Sequence, residues 1–240
     1  MVLPTPAAVA DAAADRVVTA ARNAIRRRGR FSIALSGGST PQAAYALLAE
    51  QPRVGRVDWS RVEFFWGDER AEPPDHRDSN FGLAWRLLLS HLPGLRRSAL
   101  HRMPADEADI DLAALAYERR LARVLGGTHR AGRPPVIDLV WLGIGRDGHT
   151  ASLFPGSSAL GERRRWVLPT TGPPPHLVRM TLTLPVINAA RSVMLVATGA
   201  DKAPVLRDVA AGRRDLPVSR VRSAGTLWLL DAAAAGGGSQ

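Results

Sequence analysis

The sequence predicts an α/β fold built on a mostly parallel sheet, and three observations point there. Runs rich in β-branched, aromatic and aliphatic residues recur at Phe31–Leu35, Val62–Trp66, Ile137–Leu142, Val193–Thr198 and Thr226–Leu230. Several are largely apolar rather than alternating, the pattern of strands covered on both faces. Helical patterns separate them at Pro41–Glu50, Ser79–His91, Asp106–Leu125 and Asp201–Ala211. Strands alternating with helices call for parallel pairing and right-handed crossovers.

Each element has a local reason. The alanine-rich start reads as an amphipathic first helix running toward Arg30; Asp11 and Asp15 lie inside it, so it is not the apolar block of a secretory signal. Pro41 suits a first helical turn with Thr40 as N-cap. Gly132-Arg133-Pro134-Pro135 marks a turn into the third strand, not a linker. We therefore expect one domain over 1–231 and a flexible Ala/Gly-rich tail over 232–240.

Composition narrows the function. The chain has 240 residues, 45% of them hydrophobic, enough for a sizeable core. It has no cysteine, which removes disulfides, thiolate metal sites and cysteine nucleophiles and fits a reducing cytoplasm. No apolar run approaches the roughly 18 to 20 residues of a membrane span. The net charge of +10 raises nucleic acid as a partner. However, arginines are scattered, with small clusters at Arg26–Arg28, Arg163–Arg165 and Arg213–Arg214, and aromatics do not interleave with them. The expectation is a small-molecule protein that engages neither nucleic acid nor membrane, as a monomer or weak homo-oligomer. Lys202 is the only lysine among many arginines, which suggests a place that needs a compact ammonium.

The chemistry gathers after the strands. Phe31–Leu35 leads into Ser36-Gly37-Gly38-Ser39-Thr40-Pro41, and Val62–Trp66 into Gly67-Asp68-Glu69-Arg70. Ile137–Leu142 leads into Gly143-Ile144-Gly145-Arg146-Asp147-Gly148-His149-Thr150, and Val193–Thr198 into Gly199-Ala200-Asp201-Lys202. Ligands of open parallel sheets bind outside the carboxyl ends of the strands, so the four loops describe one site. Ser36–Pro41 has the physics of an anion cradle: glycines allow close approach, hydroxyls donate, and a helix N-terminus follows. It is neither a Walker loop nor a dinucleotide fingerprint. Histidine is the one side chain whose unperturbed pKa, roughly 6.5, lies near neutrality, so His149 is the residue that can take a proton from water and return it to a leaving oxygen. His76, His91, His101, His129 and His176 lack such surroundings and read as structural or exposed. There is no His-Glu-x-x-His and no Gly-x-Ser-x-Gly, which argues against a zinc centre and a serine elbow.

Asp147-Gly148-His149-Thr150-Ala151-Ser152-Leu153-Phe154-Pro155-Gly156, preceded by Leu142-Gly143-Ile144-Gly145, closely resembles the signature of the 6-phosphogluconolactonases. Ser36–Pro41 resembles that family's phosphate loop. Gly67–Arg70 with Asp78-Ser79-Asn80, Arg179 before Thr181–Pro185, and Lys202 after Gly199 resemble its other motifs. The resemblance covers about residues 30 to 205. It implies a doubly wound α/β fold of the sugar-phosphate isomerase/lactonase type, with no cofactor and no metal. By similarity, His149 is the general base and Asp147 places it, Asp68 and Arg70 line the sugar end, and Gly37, Gly38, Ser39, Thr40, Arg179 and Lys202 hold phosphate. The expected reaction opens 6-phosphoglucono-lactone in the oxidative pentose phosphate pathway. Glucosamine-6-phosphate deaminases share the phosphate loop and Asp68-Glu69, but carry a glutamate five residues after the histidine, where this chain has Phe154. A non-catalytic sugar-phosphate sensor is the other alternative.

Overall fold

The computed structural model describes residues 1–128 and 132–237. The strands are β1 (Val2–Leu3), β2 (Phe31–Leu35), β3 (Val62–Trp66), β4 (Asp68–Arg70), β5 (Leu139–Gly143), β6 (Val167–Thr171), β7 (Val178–Leu182), β8 (Val193–Ala197) and β9 (Thr226–Asp231). The helices are α1 (Pro6–Arg28), α2 (Ser39–Ala49), α3 (Asn80–Leu87), α4 (Ile110–Leu125), α5 (Leu184–Ala189) and α6 (Ala203–Ala210). A six-stranded, all-parallel sheet runs in the order β1-β9-β8-β5-β2-β3. Every residue of β2 and β8 is buried, as their largely apolar runs predict, with Ser32 the one polar residue among them.

Helix α1 buries a stripe that includes Val9, Ala13, Val17, Ala21 and Ala24, recurring at helical spacing. Thr5 caps its start, accepting from the Ala8 N–H at 3.2 Å, and Gly29 ends it in the left-handed region at φ 74°. Local capping also trims two predicted helices. The Asp109 side chain accepts from the Leu112 N–H, so α4 starts at Ile110 and not near Asp106. The Leu88 backbone leaves the helical region, so α3 ends at Leu87 and a 3-10 turn carries Leu89–His91. Strand β5 begins two residues late because Asp138 bonds sideways, its carboxylate accepting from the Ser32 N–H at 2.9 Å.

The sequence reading missed a second, antiparallel sheet of order β4-β7-β6. Gly67 is its pivot: its N–H donates to Leu35 O in the main sheet, while its carbonyl accepts from Leu182 N on β7, both at 2.8 Å. The chain thus leaves one sheet and enters the other within a single residue. Strand β4 is the charged triplet Asp-Glu-Arg, which carries no strand propensity, and β6 contains Pro169. Of the segment expected to be a flexible tail, Ala232–Gly236 form a hydrogen-bonded turn with Ala234 buried, Asp231 accepting from the Ala234 N–H. Residues 238–240 and His129 lie outside the described residues. No helix among the described residues is long and apolar enough to cross a membrane.

The open edge of the main sheet at β3 is closed by side chain and loop. The Tyr117 hydroxyl accepts from the Trp66 N–H at 3.2 Å and donates to His101 O at 2.9 Å, and the His101 N–H donates to Phe64 O. Burial pushes the Tyr117 phenol far above its ordinary pKa, so it stays a donor. Tyr117→Phe leaves two buried backbone groups unpaired, and we expect a loss of about 1–3 kcal/mol. The check is a urea midpoint that falls at unchanged m-value; an unmoved midpoint contradicts this role.

Candidate active site

Four loops at the carboxyl ends of β2, β3, β5 and β8 surround one cavity of about 240 Å³. Its wall includes Gly37, Gly38, Ser39, Thr40, Asp68, Arg70, His149, Arg179 and Lys202. Asp147 is not on that wall; it stands behind His149.

The loop after β2 is fixed from below. Buried Tyr45 donates its hydroxyl to Ser36 O at 2.7 Å and accepts from the Ser36 N–H at 3.1 Å, with its ring edge-on to Trp141. Helix α2 begins at Ser39, and the residue preceding it is Gly38 at φ 106°, with no side-chain cap. This corrects the expectation that Thr40 is the N-cap. Thr40 lies inside the first turn and pairs its hydroxyl with that of Thr198 at 2.9 Å. With no cap, the first N–H groups of α2 have no intrahelical partner and form the positive end of the helix dipole. Gly37 is required by crowding, since a Cβ there would overlap the Asn80 side chain.

The His149 loop is a tight turn. Gly145 donates to His149 O at 2.8 Å, Gly148 donates to Gly145 O at 3.0 Å, and Gly148 O accepts from Val218 N at 3.0 Å. Gly148 sits at φ 82°, which a side chain would strain. Asp147 Oδ1 contacts both His149 Nδ1, at 2.6 Å, and the His149 N–H, at 3.1 Å. This fixes the ring and leaves the other nitrogen free to work. A Cβ at Gly145 would land on the His149 ring. Phe154 packs against the imidazole, with ring centroids 4.7 Å apart. Partial burial acts to raise the Asp147 pKa, but the adjacent His149 outweighs it and holds the carboxyl below its usual range.

The small sheet supplies two of the cavity's cations, Arg70 and Arg179. Arg70 on β4 donates from Nη1 to Asp78 O at 2.6 Å. Arg179 on β7 donates from Nε to His176 O at 2.9 Å, and its guanidinium lies 5.4 Å from the centre of the Phe154 ring. Burial lowers the Arg179 pKa, while the Asp68 charge acts to raise it. Asp68 itself is buried, accepting from Ser152 Oγ at 2.6 Å and Asn80 Nδ2 at 3.4 Å. Lys202 lies 3.4 Å from Asp201, which also takes Arg146 at 2.7 Å.

Sequence reasoning missed Asn80 as a site residue. Its Nδ2 donates to Asp68 O at 2.9 Å, while its buried Oδ1 has no partner and the side chain lines the cavity. The available signal was its place directly after Ser79, which caps α3. Glu69 faces the other way. It accepts from the N–H groups of Arg70, Asn80 and Phe81 and from the Ser79 hydroxyl, anchoring α3, while burial pushes its pKa up to about 7. His101, His176 and His76 contact Glu63 or Glu72 away from the cavity, and His91 meets Arg86 O. Among the described residues, no three His, Cys, Asp or Glu side chains gather as a metal site.

Residues 4–229 match the family described as glucosamine-6-phosphate isomerases/6-phosphogluconolactonase. The chain belongs to that family. A 6-phosphogluconolactonase of Nostoc sp. is 40% identical, covering 97% of this chain and 95% of the relative. One from Rattus norvegicus is 42% identical over 87% of this chain and 80% of its own. The solved 6-phosphogluconolactonase of Trypanosoma brucei superposes with a TM-score of 0.87 at 32% identity, covering 100% of this chain and 98% of that one.

The family description spans isomerases and lactonases, and the residues around the histidine are where the sequence reading expects the two to differ. Here His149 meets one carboxylate, Asp147, among the described residues, and an apolar ring where the deaminase pattern has glutamate. The Asp147 shift gives a test of the pair. A depressed carboxyl pKa stabilises the fold above the ordinary carboxylate value, and that contribution is lost as pH falls through the depressed value. In His149→Ala, carbon-detected NMR titration should show the Asp147 pKa rising above its wild-type value. An unmoved Asp147 would show that the contact does not govern its charge.

Proposed function

We propose that the chain hydrolyses 6-phospho-D-glucono-1,5-lactone to 6-phospho-D-gluconate, with His149 as the general base. The observation that carries this reading is one cavity with a histidine braced by Asp147 on one wall and an uncapped helix N-terminus with Lys202 and Arg179 on the others.

The phosphate binds the N–H groups and hydroxyls of Gly37–Thr40, with Lys202 and Arg179 as counter-charges. This fixes the far end of the sugar and orients C1 toward His149. His149 takes a proton from water through the ring nitrogen that Asp147 does not hold, and the water oxygen bonds to C1. Arg70 offsets the charge that develops on the carbonyl oxygen. The imidazolium then gives its proton to the ring oxygen as the C1–O bond breaks, so one water is consumed and the histidine is restored. Asp147 keeps Nδ1 as the donor throughout and acts through His149 without touching substrate. Asp68 and Asn80 accept from or position sugar hydroxyls at the small-sheet side. The reading includes no cofactor, the cytoplasm as compartment, and a monomer or weak homo-oligomer as the working form.

The direct test measures hydrolysis of freshly made 6-phosphogluconolactone through coupled oxidation of its product, beside unphosphorylated gluconolactone. Strong acceleration for the first and little for the second is expected; no acceleration of either ends the proposal. His149→Ala should lower kcat by about 10²–10⁴ with product affinity nearly unchanged. Wild-type turnover in that variant removes His149 from the mechanism.

A further inference from the structure

A second concavity, of about 530 Å³, shares no lining residue with the catalytic cavity. Arg163, Arg214, Arg220 and Arg222 line it beside Pro185 and Asn188 of α5. Two of these guanidinium groups meet on one carbonyl: Arg163 Nη1 and Arg220 Nη1 both donate to Leu160 O, at 3.2 and 3.3 Å. Arg220 Nε also reaches Arg214 O, and Arg163 reaches Glu162 O.

Among the described residues the charge here has no paired carboxylate, in contrast to several arginines elsewhere. Arg28, Arg53, Arg96 and Arg165 each pair with a carboxylate. Among the described residues no carboxylate lies within ion-pairing distance of the four groove arginines. The two acids next to them are already engaged. Glu162 accepts the N–H groups of Arg163, Arg164 and Arg165, and Asp215 is clasped by Arg213 through two bonds. Asp215 also feels the charge of Arg220, but more weakly than that of Arg213. An Arg-rich composition explains many arginines on the surface. It does not explain several gathered about one hollow with no acid on its wall, where like charges raise the energy until an anion arrives.

The backbone that carries these arginines is held rigidly. Leu216 and Val218 are buried, Val218 N donates to Gly148 O, and the Leu216 side chain lies where a Cβ on Gly148 would collide. Asn188 ties the other end, donating to Arg220 O and accepting from the Arg222 N–H. Planar, five-donor guanidinium groups carried on this held backbone suit the oxygens of a phosphate chain, which can take paired bonds from each fork. The volume also falls in the range of small-molecule sites, which run from about 300 to 1,000 Å³.

We propose that this groove is a second anion site, distinct from the catalytic cavity, that takes a linear polyphosphate group. It does not depend on the lactonase reading. With no aromatic residue on the groove wall, the phosphate chain is what the site recognises, whether free or carried on a nucleoside.

The test is calorimetric titration with tripolyphosphate at physiological salt. It uses Lys202→Ala, which weakens any competing binding in the catalytic cavity, and Arg214→Gln/Arg222→Gln built on that background. The two glutamines replace exposed side chains, so the fold should survive, and retained circular dichroism checks it. Saturable binding to K202A that weakens at least about tenfold in the added double variant is expected, the loss of one or two charge-assisted contacts. A nucleoside triphosphate should bind within a few-fold of tripolyphosphate. No saturable binding to K202A, or binding unmoved by the two glutamines, overturns the proposal. So does a preference for single-stranded DNA that grows with its length, which would make the patch a nucleic-acid surface.

Discussion

The buried carboxylate of Asp68 is the joint on which the site depends. It begins the small antiparallel sheet one residue after Gly67 leaves the edge of the large one. It also receives Ser152 from the His149 loop and Asn80 from the start of α3. Three separate segments, one of them 84 residues away, therefore converge on one group that is only 6% exposed. A buried charge is costly unless hydrogen-bonded and faced by cations. Here two side-chain donors satisfy it, and Arg179 lies near enough for the two charges to influence each other. The carboxylate that organises the backbone thus also anchors the field of the cavity.

That joint permits a division of labour between the sheets. The parallel sheet offers what its carboxyl ends offer in general: a glycine turn, an uncapped helix and a loop that can present one histidine. It does not offer cations at the far wall. These come from β4 and β7, where Arg70 and Arg179 are cross-strand partners. Phe154 lies at the meeting of the two contributions, packed on His149 and beneath the Arg179 guanidinium. The apolar ring keeps the base and the cation apart while fixing both, and it occupies the position at which the isomerase pattern places a second acid.

Much of this was legible in the sequence, for physical reasons that differ by element. Strands β2 and β3 announce themselves because burial on both faces favours largely apolar runs, each broken by a single polar residue, and their predicted bounds match the structure. The cavity residues were legible because polar, glycine-containing loops after buried strands have one common destination. The small sheet was not legible. Asp68–Arg70 is held as a strand by ladder bonds to β7 and by Asp68's own partners, and nothing in three charged residues reports that. Thr40 failed as a cap because the glycine at φ 106° had already turned the chain, so the helix started one residue before it. Asn80 was passed over because its importance lies in close approach to Gly37, a contact between segments that no local pattern records.

The central claim is a polarity: phosphate at the start of α2, reacting carbon at His149. A crystal structure of the chain with the reaction product, 6-phosphogluconate, tests it most directly. The phosphate should lie on the N–H groups of Gly38–Thr40 with Lys202 and Arg179 around it. The C1 carboxylate should lie within hydrogen-bond distance of the His149 nitrogen that Asp147 does not hold. A product bound the other way round, with its carboxylate in the glycine loop and its phosphate at His149, would contradict the account.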